Sequence, residues 1–284
     1  MGDYLEFYQH LPSFFNPIFF QIGSFSVRWY GIMYLVAFIV FYFILNWRVK
    51  RGEAGYSQDL ILDFLTWAVA GLLAGGRLGY VLFYNLPYYL DNLLEIFLPI
   101  KFSGTGMLIT GFYGMSFYGG VAGVVAVIFL WTRKNKLDFW QWADFIVPAV
   151  PLAYFFGRMG NFLNGELFGR VTNSQLGMFF SNDSPNKMIL RHPSQLYEAF
   201  FEGLVVFVIL WLMRKRKVQK GTLALIYLGL YGFFRFWIEF LREPDPQIGL
   251  FFSFFTLGQF FSAIIVLASG TIYFYQKNRH EKKY

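Results

Sequence analysis

Apolar runs of roughly bilayer length alternate with tight clusters of lysine and arginine along this chain, and that alternation leaves few folds open. Seven runs can be drawn: Val27–Asn46, Leu60–Leu82, Ser116–Thr132, Phe139–Phe156, Gln195–Met213, Thr222–Leu241 and Leu257–Gln276. A hydrocarbon core takes about 20 helical residues to cross, and backbone groups inside it must be satisfied within the segment itself. The sequence therefore predicts an all-α polytopic membrane protein with seven transmembrane helices. The third and fourth runs are short, and a different tilt or a partly re-entrant path suits them. Only 14% of the residues are charged, where a soluble domain carries about 25%, so no stretch has the polar surface of a separate soluble domain. The whole chain, 1–284, reads as a single integral membrane domain with extracytoplasmic loops at approximately 83–115 and 157–194.

The basic clusters set the orientation. Arg48, Lys50 and Arg51 follow the first run, and Arg133, Lys134 and Lys136 follow the third. Arg214, Lys215, Arg216, Lys217 and Lys220 follow the fifth, and Lys277, Arg279, Lys282 and Lys283 lie in the tail. With seven crossings all of them fall on one face, which places the N-terminus outside and the C-terminus in the cytoplasm. The net charge of +7 is thus a matter of topology, and no nucleic-acid partner is expected. The first 25 residues lack a basic start and a small-residue cleavage site, so the first membrane helix is expected to serve as the targeting signal.

The basic residues outside those clusters carry the functional information. Arg28, Arg77, Arg158 and Arg235 come from four different runs and converge on one depth, beneath the outer head groups. An arginine at mid-bilayer costs roughly 2.5–3.5 kcal/mol on insertion scales. Snorkelling to the interface is the plain explanation, and Glu239, four residues after Arg235, offers a same-face pair. The alternative is a phosphate site, because a guanidinium fork matches phosphate oxygens and keeps its charge. Glycines accompany these residues. Gly71 and Gly75 have small-xxx-small spacing, which favours helix packing. Gly119 and Gly120 open the third run, where packing, a helix break or N–H groups facing an anion all fit.

The stretch GRMGNFLNGELFG, residues 157–169, resembles the signature of the prolipoprotein diacylglyceryl transferases, Gly-Arg-x-Gly-Asn-Phe-x-Asn-x-Glu-x-x-Gly. Every fixed position agrees: Gly157, Arg158, Gly160, Asn161, Phe162, Asn164, Glu166 and Gly169. VRWYGIMYLV (27–36), GGRLGYVLFYNLP (75–87), RHPSQLYE (191–198) and YGFFRFWIEFLREPD (231–245) resemble further blocks of the same family in the same order.

The resemblance implies a multi-pass enzyme of the bacterial plasma (inner) membrane with its active site near the outer leaflet. Such enzymes move the diacylglyceryl group of phosphatidylglycerol onto the lipobox cysteine thiol of a prolipoprotein signal peptide, giving a thioether and glycerol 1-phosphate. By resemblance Tyr30, Arg158, Asn161, Glu166, Gly169, Tyr231, Arg235 and Glu239 match positions the family relies on, and Asp144 and Arg77 match more loosely. The chemistry agrees, since a thiolate must attack a glyceryl carbon while a phosphate ester leaves. That needs cations at the phosphate and a way to remove the thiol proton. Arg158 and Arg235 are expected to stabilise the phosphate, Glu166 or Glu239 to orient an arginine or take a proton, and Asn161 to position the head group. Tyr30, Arg77, Asn164, Gly169, Tyr231, Gly119 and Gly120 are expected to line the substrate site, with membrane lipids around it. No cofactor and no metal are expected. The three histidines are scattered, and the absence of cysteine leaves the reacting thiol to the substrate.

One block departs from the family. Where its members usually carry His-Gly-Gly-Leu, this chain has Tyr118, Gly119, Gly120 and Val121. A phenol, with an ordinary pKa of about 10 against about 6.5 for imidazole, is a poor base at neutral pH. Three outcomes fit: the base is a glutamate or Tyr118 itself, the family histidine is only a structural donor, or activity is altered. The intact arginine and signature blocks favour retained activity. Two rivals are an anion transporter and a catalytically silent relative that binds lipid or lipoprotein precursors. Neither an internal repeat nor a polar file across the membrane supports the transporter. His192, next to Pro193, reads as structural, with substrate handling as its functional alternative.

Overall fold

The computed structural model describes residues 2–23, 25–97, 100–103, 106–109, 114–183, 189–244, 250–251 and 255–281. Its main helices are α1 (Gly2–His10), α2 (Trp29–Lys50), α3 (Gln58–Tyr84), α4 (Phe117–Lys134), α5 (Val150–Leu163), α6 (Ser194–Met213), α7 (Thr222–Ile238) and α8 (Leu257–Glu281). Among the described residues four of them, α2, α3, α6 and α8, are long and apolar enough to cross a membrane, and α7 is a shorter apolar helix of 17 residues.

The fourth apolar run is the exception to one run, one helix. It divides into a helix over Phe139–Ile146, a tight turn at Val147–Ala149, and α5. Pro148 and Pro151 cause the division, because neither has an N–H to donate to the preceding turn. Helix α5 then runs past Phe156 to Leu163. The signature begins inside a helix, and the loop expected from Gly157 starts only after Leu163. In that helix Tyr154, Arg158 and Asn161 fall at i, i+4 and i+7 and share one face.

The described residues group into two compact units, Ala54–Trp142 and Met1–Glu53 with Ala143–Tyr284. In the first unit, Ser57 caps α3 by accepting from Leu60 N–H at 3.2 Å, and Ser116 caps α4 by accepting from Gly119 N–H at 3.2 Å. Side-chain oxygens are favoured there because a helix start leaves its N–H groups unpaired. The two helices meet backbone to backbone. A Cβ on Gly79 would stand 2.7 Å from Gly119 Cα, and one on Gly123 2.9 Å from Gly75 Cα. The small-residue spacing of the sequence is therefore a packing seam. Trp131, Trp142 and Phe64 cluster at one end of it, and Trp131 Nε1 donates to Asp63 at 2.6 Å.

In the second unit α2 packs on α5, α5 on α6, and α7 on α8. Val147, Val206, Leu210 and Leu223 form one buried core, with Ile226, Leu230 and Phe234 against it. Phe162, Leu163, Met178 and Phe180 form another, covered by Tyr8, Leu11 and Phe15 of the N-terminal arm. Asp144 caps α7 from outside, accepting from Gly221 N–H at 2.7 Å and Ala224 N–H at 2.9 Å. Arg48, near the end of α2, and Arg214, just after α6, both pair with Glu53, at 2.9 and 3.2 Å. Two of the basic clusters thus lie at the same end of this unit.

Candidate active site

The other end of the same unit holds a buried ionic cluster centred on Glu198, a carboxylate 1% exposed in α6. Arg158 Nε, from α5, lies 2.6 Å from its Oε2. Arg235 Nη1, from α7, lies 3.2 Å from its Oε1, and Arg242 Nη1 lies 3.6 Å from the same oxygen. Three guanidinium groups therefore share one carboxylate. Charges this deep persist only when they are paired and hydrogen-bonded.

Arg158 and Arg235 have further partners. Arg158 Nε also donates to the Tyr154 hydroxyl at 2.8 Å, and its Nη1 donates to Asn161 Oδ1 at 3.2 Å. Asn161 Nδ2 donates in turn to Glu166 Oε1 at 3.0 Å. The signature residues thus form a chain from Arg158 through Asn161 to Glu166. Arg235 Nη2 pairs with Glu239 at 2.9 Å, the same-face pair its spacing suggests, and Thr256 Oγ1 donates to the other Glu239 oxygen at 3.0 Å. Tyr231 packs its ring edge-on to Tyr154, with centroids 5.9 Å apart. Arg242 is the most exposed of the three side chains, at 22%, which leaves its guanidinium the most open of the three to an anion.

The sequence reading missed four members of this cluster: Tyr154, Glu198, Glu202 and Arg242. The signal for two of them was available. Glu198 and Glu202 are carboxylates inside an otherwise apolar run, and ionisable residues there mark sites by default. Tyr154 carries no such signal, because a tyrosine among aromatic residues reads as packing.

The remaining candidates divide by location. Asn164 Oδ1 accepts from Tyr30 N–H at 3.1 Å in the first turn of α2, so Asn164 serves as a cap supplied from another segment. The Tyr30 hydroxyl donates to Tyr34 at 2.8 Å. Gly169 lies where three segments cross. It pairs with Arg242 in a β-bridge, and its N–H donates to His192 O at 2.7 Å. A Cβ on Gly169 would stand 2.9 Å from His192 Cβ and press on Leu241 O. His192 contacts Tyr197 OH at 3.3 Å, and burial holds its imidazole below the ordinary pKa, hence neutral at pH 7.

Arg77, Tyr118, Gly119 and Gly120 belong to the other unit. The Arg77 guanidinium donates to the carbonyls of Glu95, Ile96 and Gly114, the last two at 3.0 and 3.4 Å, and lies 5.0 Å over the Tyr89 ring. It ties a loop to α3. Gly119 N–H and Gly120 N–H donate to Ser116, and both glycines lie in the α3–α4 seam. Of the readings the sequence left open for them, packing is the one this geometry matches, and neither N–H is left over for an anion. Tyr118 is in the first turn of α4, and its side chain lies outside the described residues.

Residues 17–275 match the family model described as prolipoprotein diacylglyceryl transferase. A protein of Chlorobaculum tepidum named phosphatidylglycerol–prolipoprotein diacylglyceryl transferase is 46% identical over 281 residues, covering 99% of this chain and 96% of its own. Proteins of the same name from Pseudoalteromonas translucida and Aliarcobacter butzleri are 44% and 43% identical. The first match covers 89% of both chains, and the second 93% of this chain and 94% of its own.

Proposed function

The chain belongs to the prolipoprotein diacylglyceryl transferase family, and from that membership we propose that it transfers the diacylglyceryl group of phosphatidylglycerol to the lipobox cysteine thiol of prolipoproteins. The observation that carries the reading is the meeting of Arg158, Arg235 and Arg242 on one buried carboxylate. Phosphate is the anion such a cluster suits, because fixed guanidinium forks bind it without losing charge.

The cysteine sulfur attacks the glyceryl carbon that bears the phosphate. The carbon–oxygen bond breaks, and its electron pair leaves with glycerol 1-phosphate as the carbon–sulfur bond forms. The thiol proton passes to a base or to the departing phosphate. Negative charge grows on the phosphate oxygens as the bond breaks, so donors already in place lower the barrier with little reorganisation. Arg158 and Arg242 present the N–H groups that meet those oxygens. Arg235 keeps Glu198 and Glu239 in place, and Asn161, held by Glu166, sets the plane of the Arg158 guanidinium. Seven crossings, an outside N-terminus, a cytoplasmic C-terminus and a site near the outer leaflet of the bacterial inner membrane complete the reading. The basic ends of α2 and α6 meeting at Glu53 support it.

The test is purified protein with labelled phosphatidylglycerol and a lipobox peptide. Thioether-linked lipid on the peptide is expected. Its absence where the Chlorobaculum tepidum relative turns over would overturn the assignment.

A further inference from the structure

A second polar layer lies beside the arginine cluster, one turn back along α5 and one turn on along α6. It consists of Tyr154 and Glu202. Glu202 is 0% exposed in an apolar helix. Among the described residues its carboxylate has one hydrogen-bond partner, the Tyr154 hydroxyl 2.5 Å from Oε2, while Oε1 has none. Tyr154 OH has three neighbours: Glu202, Arg158 Nε at 2.8 Å and Glu198 Oε2 at 3.3 Å. Any hydrogen-bonded influence of Glu202 on the arginine cluster therefore passes through one oxygen atom.

The local fold keeps this contact at a cost. Residues Ala199–Val205 of α6 are π-helical, a rare form that often marks functional sites. Gly203 lets this segment press against α5, since a Cβ there would stand 2.8 Å from Phe155 Cβ and 3.0 Å from its Cα. That approach brings Glu202 to Tyr154. A buried carboxyl oxygen without a donor is itself unfavourable, and a leucine at this position would suit an apolar span better.

We propose that Glu202 is a positioning residue for Arg158, acting by accepting the hydrogen of the Tyr154 hydroxyl. The inference rests on the transferase reading above. A hydroxyl has one hydrogen. With that hydrogen drawn to Glu202, Tyr154 turns a lone pair to Arg158 Nε, and Glu198 Oε2 is left to the arginine. Without Glu202 the hydroxyl turns its hydrogen to Glu198, competes with Arg158 for that oxygen, and releases the guanidinium from its set plane.

The test compares Glu202→Gln, Glu202→Leu, Tyr154→Phe and the Leu/Phe double variant. Turnover is measured beside calorimetric binding of a short-chain phosphatidylglycerol and the melting temperature in detergent. Gln keeps an acceptor oxygen for Tyr154, so Glu202→Gln stays within about twofold of wild type. Glu202→Leu and Tyr154→Phe each lower kcat/KM roughly tenfold, the scale of a small misplacement of a reacting group, and weaken lipid binding in the same order. The double variant is no worse than the poorer single one, because both cut the same link. Three results overturn the proposal: Gln as damaging as Leu, Leu and Phe effects that multiply, or a Tyr154→Phe protein with wild-type turnover and binding. If Glu202→Leu does not fold, Glu202→Gln and Tyr154→Phe decide alone. Lipid binding without thioether product in the wild type would overturn the transferase reading, while the order of affinities would still decide the role of Glu202.

Discussion

Arg158 and Arg235 hold opposite oxygens of the Glu198 carboxylate, at 2.6 and 3.2 Å, although they come from different helices. The carboxylate is thus the fixed point from which both guanidinium groups are aimed. Removing it leaves buried positive charges facing one another. Breaking a buried ion pair by deleting one partner costs about 3–5 kcal/mol. Glu198→Ala is therefore expected to lower the melting temperature markedly and to reduce transfer at least roughly 100-fold. Thermal unfolding in detergent and single-turnover transfer check both, and a variant with wild-type turnover would remove Glu198 from the site.

Asp144 matches the family pattern only loosely, and it accepts from the N–H groups of Gly221 and Ala224 at the start of α7. They lie at the Glu53 end of the unit, near Arg48, which donates to the neighbouring Phe145 carbonyl. Asp144→Ala is expected to cost about 1 kcal/mol, the usual loss of an N-cap, while kcat of the folded enzyme stays near wild type. Asp144→Asn keeps an acceptor and should recover most of the stability. A drop in kcat with unchanged melting temperature would show that Asp144 acts on the reaction.

Gly169 bridges Arg242 through the backbone. Gly169→Ala forces the Leu241 and His192 segments apart, because the new Cβ would stand 2.9 Å from both His192 Cβ and His192 O. Arg242 moves with that strand and leaves Glu198. The expected result is a KM for phosphatidylglycerol raised about tenfold, with a smaller change in kcat, as when binding shared by substrate and transition state is lost. An unchanged KM would mean that the bridge does not set Arg242.

What the sequence made legible follows the physics of each element. Helix existence was plain from the apolar runs, and the Arg235–Glu239 pair from i, i+4 spacing. The break at Pro148 and Pro151 was readable in principle, but the apolar run masked it. The extension of α5 through Gly157 and Gly160 was hidden, because helix ends depend on partners such as Glu198 that lie elsewhere in the chain. Asn164 and Asp144 came forward through the family resemblance, while their capping of α2 and α7 depends on tertiary contacts that no local pattern encodes. Arg77 looked like Arg158 in sequence. Its contacts with the carbonyls of Ile96 and Gly114 are tertiary and could not be read from that likeness.

Tyr118 occupies the first turn of α4, where the family usually has histidine. A phenol with an ordinary pKa of about 10 takes few protons from a thiol at pH 7. Tyr118→Phe is therefore expected to leave transfer within about threefold of wild type, whereas loss of a working general base costs about 10²–10⁴-fold. Tyr118→His is expected to raise kcat/KM and to add an acid limb at or below about pH 6.5. A helix start disfavours a cation, so the imidazole stays neutral and able to accept a proton down to that pH. The pH–rate profiles of the three proteins, measured on one lipobox peptide, check this. A Tyr118→Phe protein slowed more than about 100-fold would identify the hydroxyl as a participant in the reaction.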